Sequence, residues 1–149
     1  MQDFGRITNF IWSVADLIRD SFRRGKYQDV ILPLTVLRRL DCVLAPKQDK
    51  VRERAAELRT KGVENPDPAL RRLAGQAFYN TSKYTFERLL ADSRNIGPNF
   101  RAWINGFSPN MREVLEKFEF ETTIRKLEEA KLLFQVLERF AQVDLHPDT

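Results

Sequence analysis

One cysteine and one histidine, Cys42 and His146, are all the thiol and imidazole chemistry this chain has. A single cysteine excludes an internal disulfide, and one of each cannot assemble a zinc site, which needs several such ligands. The six glycines stand at positions 5, 25, 62, 75, 97 and 106 and never cluster. No glycine-rich turn is therefore present to cradle a nucleotide or a methyl donor. No apolar run approaches the roughly 18 residues that span a bilayer. The first residues, Met1-Gln2-Asp3-Phe4-Gly5-Arg6, lack a charged segment followed by an apolar one, so no secretory signal is expected and a cytoplasmic protein is the simplest reading. Strand-like alternation never exceeds four residues, and there is no internal repeat or low-complexity tract.

What is present is an ordinary globular balance. The chain has 149 residues, 42% of them hydrophobic and 31% charged, which suits one domain with a real core. The net charge is +4 and the pI is near 9.4. Residues 1–75 carry 15 basic and 10 acidic side chains, whereas residues 76–149 carry 10 and 11. A basic half suits an anionic partner such as nucleic acid, and equally a solvated surface rich in arginine.

The apolar spacing reads as helix from end to end. Phe4, Ile7, Ile11, Val14, Ile18 and Phe22 recur at intervals of three and four, the mark of an amphipathic helix. Gly25 is expected to end it in a left-handed conformation. A second helix is expected from Gln28 to Leu44, with Pro33 in its first turns or at a kink and Ala45-Pro46 closing it. Asp49 to Lys61, rich in charge, reads as a separate exposed helix or arm. After a linker from Gly62, Asp67-Pro68 is expected to cap a helix running through Leu70, Leu73 and Phe78. Tyr79-Asn80-Thr81-Ser82 breaks it, and Thr85 can cap a short helix with Phe86, Leu89 and Leu90. Gly97-Pro98 and Ser108-Pro109 read as two further starts. Thr122 to Val143 is the last helical region, with a break expected near Lys131. The expected fold is all-α, an irregular helical bundle of about six to eight helices in a single domain over residues 1–149.

Few residues invite a chemical role. Cys42 reads as a small packed side chain and His146 as solvent-exposed. Glu128-Glu129 reads as a solvated face. Asn65-Pro66-Asp67-Pro68 superficially resembles the Asn-Pro-Pro-aromatic tetrapeptide of amino-methylating enzymes. Its second proline is displaced and no aromatic follows, so it reads as a loop before a cap. No catalytic residue and no metal ligand is assigned.

The segment Phe22 to Asp41 says most. At about 100° per residue Val30, Leu34, Leu37 and Leu44 share one face with Asp41, while Arg39 points away. A carboxylate on an apolar face needs a cation. Arg23 or Arg24, in the preceding turn, is the expected partner, fixing the angle between the first two helices. Trp12 lies off the first helix's stripe. It is either covered by a later helix or an anchor for another subunit. Trp103, among Phe100, Ile104 and Phe107, reads as core.

The order of these features resembles a known family. Phe22-Arg23-Arg24-Gly25-Lys26 followed by Tyr27 through Asp41 is similar to the N-terminal domain of the modification (DNA methyltransferase) subunit of type I restriction–modification systems. There a Leu-Arg-Gly turn precedes an Ile-Leu-Pro-Leu helix ending in a basic pair and an aspartate, so the turn here departs slightly. Tyr79-Asn80-Thr81-Ser82, Ile104-Asn105-Gly106-Phe107-Ser108, and Val136 to Phe140 followed by Val143-Asp144-Leu145-His146-Pro147 match as well. The resemblance implies an accessory domain that does not itself transfer methyl groups, in a protein that methylates adenine N6 with S-adenosylmethionine after flipping the base. The cofactor site and the Asn-Pro-Pro-aromatic motif would lie beyond Thr149. It also implies double-stranded DNA, a specificity subunit, a second modification subunit and a restriction subunit as partners. Arg39, Lys47, Lys50, Arg52 and Arg54, outward cations of the basic half, are the expected phosphate contacts. The alternative is a standalone helical protein–protein interaction domain that binds no DNA.

Overall fold

The computed structural model describes residues 4–145, apart from the Phe4 and Arg24 side chains. Eight α-helices follow one another: α1 (Phe4–Ile18), α2 (Gln28–Thr60), α3 (Asp67–Ala74), α4 (Phe86–Ala91), α5 (Ile96–Asn105), α6 (Pro109–Glu116), α7 (Phe120–Glu129) and α8 (Leu133–Ala141). The fold is all-α, as the spacing indicates. His146 lies outside the described residues.

α8 is the hub of the bundle. Leu133, Val136, Leu137 and Phe140, at the i, i+3, i+4, i+7 spacing of one helix face, are all buried. α8 packs against α1, α2, α4, α5 and α7. Phe10 of α1 meets Phe140 edge-on, with ring centroids 4.8 Å apart. A second aromatic knot lies where α4 meets α5: Trp103 is fully enclosed by Phe86, Phe100 and Phe107, so its assignment to the core holds. α7 and α8 break apart at the expected place, with Lys131 at φ 60°.

Three boundaries differ from the sequence reading. α1 ends at Ile18, whose carbonyl accepts from the Ser21 and Phe22 amides. Gly25 then sits in a 3-10 turn, Arg24–Lys26, and its φ is not positive. α3 ends at Ala74 rather than Phe78, because Gly75 takes the left-handed conformation at φ 73° and its amide bonds back to Arg71. Pro66, not Asp67, precedes its first turn.

The largest difference is α2. Its 33 residues run straight through Pro46 and absorb the charged arm. A proline inside a helix costs about 3 kcal/mol. The buried stripe, however, continues beyond it as Gln48, Val51 and Leu58. Burying Val51 and Leu58 contributes roughly 1.5–3 kcal/mol each, so packing against α3 outweighs the missing N–H. Gln48 adds a polar tie, its amide donating to the Ser82 and Tyr84 carbonyls.

The Tyr79 to Ser82 segment is more than a break. It pairs with residues 106–108 in an antiparallel bridge between Asn80 and Phe107. Thr81 N–H donates to the Gly106 carbonyl at 2.9 Å and Ser108 N–H to the Tyr79 carbonyl at 2.8 Å. Asn80 then reaches the Trp103 carbonyl at 2.7 Å. Gly106 is obligatory here: a Cβ would stand 2.7 Å from Asn80 Oδ1 and 3.0 Å from the Ser82 backbone nitrogen.

Candidate nucleic-acid interface

α2 carries one core face and one outward face, and the expected cations divide between its sides. Arg39, Lys47, Lys50 and Arg54 fall within about 80° of one another around the helix axis, while Arg52 lies on a different side. Arg39, Lys47 and Lys50 are exposed, and none of the three pairs with a carboxylate among the described residues. They span about 16 Å along the axis, roughly half a turn of duplex. Arg54 is partly neutralised by Glu57 at 3.0 Å. Arg52 contacts Asp49 at 3.4 Å, and Asp49 also takes a bidentate pair from Arg88 at 2.8 Å. The Arg88 hydrogen bonds hold the Asp49 carboxyl below its ordinary range. Three of the five candidates therefore lack a carboxylate partner among the described residues, although Lys47 Nζ stands beside Gly75 at the end of α3, and two are already engaged.

Asp41 is buried, at 3% exposure, and its cation among the described side chains is Arg38, not Arg23. Arg38, one turn earlier on the same helix, donates to Asp41 Oδ2 at 2.7 Å. The Phe86 amide, at the start of α4, donates to Oδ1 at 3.1 Å. Burial raises the Asp41 carboxyl above its ordinary value, opposed by the Phe86 amide and by Arg38. An i, i+3 partner needs no chain reversal to reach its mate, whereas Arg23 stays exposed. Arg23 lines an open groove of about 1000 Å³ between the start of α2 and the α6–α7 corner. The Arg24 side chain lies outside the described residues.

Trp12 is 66% exposed, with Ile11 beside it at 42%. No later helix covers it among the described residues, so the covered alternative does not hold. Cys42 is half-buried, and burial raises its thiol above the ordinary value, the opposite of an activated nucleophile. Glu128 is not a solvated carboxylate. Arg101 donates to it at 2.6 and 3.2 Å and to Glu121 at 2.9 Å, joining α5 to α7. Tyr79 donates its hydroxyl to Asp67, tying the bridge to α3. Among the described residues, no group of three or more His, Cys, Asp or Glu side chains could hold a metal ion, and no helix is long and apolar enough to cross a membrane.

The residue missed from sequence was Arg38. Its signal in the sequence is an arginine three residues before a carboxylate on the same helix.

The family model for the HsdM N-terminal domain matches residues 7–140. No curated protein and no solved structure gives a significant match. The chain belongs to the HsdM N-terminal domain family, the helical domain of the type I restriction–modification modification subunit.

Proposed function

We propose that this HsdM N-terminal domain lays the outward face of α2 against the DNA backbone and so helps its modification subunit close around the duplex. The observation that carries the reading is that Arg39, Lys47 and Lys50 are exposed along α2 with no carboxylate partner among the described residues. Three cations on one helix, without carboxylate partners among the described residues, suit phosphate contact, which orients a duplex without reading its bases. In this reading S-adenosylmethionine and the target adenine belong to a methyltransferase domain beyond Thr149, and methyl transfer is not a property of the helical domain alone. The specificity subunit reads the site, and Trp12 with Ile11 meets that subunit, a second modification subunit or the restriction subunit.

The test is the salt dependence of DNA binding by the modification subunit assembled with its specificity subunit. Reversing Arg39, Lys47 and Lys50 to glutamate removes up to three phosphate contacts. The slope of log K against log salt should flatten by about one unit per lost contact. Affinity and slope both unchanged would overturn the DNA reading. The exposed Trp12 would then favour the second one, a helical module for protein contact alone.

A further inference from the structure

Three residues of α2 close on the segment that leaves α8. Arg38 Nε donates to the Val143 carbonyl at 2.9 Å and Nη2 to the Ala141 carbonyl at 3.0 Å. Its third nitrogen holds Asp41. The last carbonyls of a helix have no partner within it, and Arg38 supplies donors to one of them and to the chain just past the helix end. One turn further along α2, the Leu145 amide approaches Cys42 Sγ at 3.5 Å, and Arg39 Nη1 stands 3.5 Å from the Leu145 carbonyl. Val143 is itself buried. The Arg38 guanidinium also lies over the Phe86 ring, 5.5 Å from its centroid. A planar five-donor fork is thus spent on three acceptors in two segments of the chain, with a third element, α4, contributing the Phe86 ring beside it.

This arrangement does more than pack the bundle. A helix end inside a core can be satisfied by water or by its own last turn. Here the chain is instead strapped along the flank of α2, and the strap ends beside Arg39, the first cation of the basic stripe. We propose that Arg38 is a positioning residue that locks the Ala141–Leu145 segment onto α2, so that this segment is held at a fixed angle to the DNA-facing stripe. The inference rests on the proposed DNA-binding reading for its consequence in methylation, but not for the clasp itself.

The experiment uses the modification subunit assembled with its specificity subunit and two variants. Arg38→Lys keeps a cation beside Asp41 but cannot reach both carbonyls. Val143→Gly leaves the Arg38–Asp41 pair intact and removes the buried side chain that seats the strap, so it carries the test if Arg38→Lys does not fold. Hydrogen exchange read by mass spectrometry should show the amides of Gln142, Val143 and Leu145 exchanging about tenfold faster, with α5 to α7 unchanged. Methylation kcat/KM should fall by about tenfold or more while S-adenosylmethionine affinity holds. Faster exchange spread evenly through the domain would mean a merely structural pair and overturn the proposal. So would unchanged exchange at 142–145, or faster exchange there with normal methylation. Reversal of Lys47 and Lys50 supplies the control: if it leaves DNA affinity untouched, the DNA reading fails while the clasp result stands.

Discussion

Replacing Asp41 with alanine tests the centre of the bundle. The carboxylate accepts from Arg38 at 2.7 Å and from the Phe86 amide at 3.1 Å, and the Phe86 donor is buried. Removing one partner of a buried pair costs about 3–5 kcal/mol. Arg38 keeps its two carbonyl acceptors, and its side chain is 15% exposed, so the expected loss is at the lower end, about 3 kcal/mol. For a chain of this size that is roughly 6–12 °C in Tm. Denaturant unfolding at pH 7 should show a lower midpoint with an unchanged slope. A loss below about 0.5 kcal/mol, the scale of an ordinary surface change, would refute the reasoning. Asp41→Asn adds a test of sign. Burial raises the Asp41 carboxyl, so the folded protein binds that proton more tightly than the unfolded chain. A carboxyl raised on folding contributes most below its unfolded pKa of about 4 and loses that contribution as pH rises through the folded value. The asparagine does not titrate, so the stability advantage of wild type over Asp41→Asn should shrink as pH rises from about 4 towards neutrality. A gap that widens instead would mean that Arg38 outweighs burial.

Gly106→Ala should destabilise by about 1–3 kcal/mol, since its Cβ meets Asn80 Oδ1 and the Ser82 backbone; a neutral result by thermal denaturation would show that the bridge yields freely. Asp49 and Glu121 are held below the ordinary carboxylate range by hydrogen bonds from Arg88 and Arg101. Their contribution is therefore present above the unfolded values and lost as pH falls through the folded ones. The stability gap between wild type and an Asp49→Asn, Glu121→Gln double variant should be present at pH 7 and close below about pH 4, with a gap persisting in acid counting against it. The two tryptophans should separate cleanly. Trp103→Ala, in a fully enclosed site, should cost about 3–5 kcal/mol. Trp12→Ala should stay within about 0.5 kcal/mol and instead weaken assembly with the partner subunits in size-exclusion or light-scattering measurements; equal stability losses would erase the distinction.

The helical class was legible because apolar residues recur at three and four through most of the chain, as α8 shows with Leu133, Val136, Leu137 and Phe140. Thr85 was legible as a cap because a hydroxyl before an apolar run has a local task, and it accepts the Arg88 amide at 3.2 Å. Pro46 misled because local chemistry argues for a stop, while the reason to continue lies in α3, whose packing no local rule contains. The bridge between Tyr79–Thr81 and residues 106–108 was invisible for the same reason: its partners are some 25 residues apart and neither strand is long enough to alternate. The outward stripe was half legible. Periodicity places Arg39, Lys47 and Lys50 on one side, but which cations are already neutralised depends on neighbours such as Glu57 and, from across the fold, Arg88.

Arg38 and Arg39 illustrate why a basic pair on a buried helix carries more information than its charge. Neighbours on a helix point about 100° apart, so on α2 one arginine must flank the core while the next faces outward. The inward one can persist only with acceptors enough for its fork, and Asp41, Ala141 and Val143 supply them. The outward one needs none, and its long contact to the Leu145 carbonyl at 3.5 Å leaves it available to a phosphate. Aspartate two positions after the pair is what fixes the assignment, since it sits one turn from Arg38 and on its side of the helix. The basic pair followed by Asp41 therefore encodes a pin and a contact in adjacent residues, and the chain leaving α8 is fastened where the two meet.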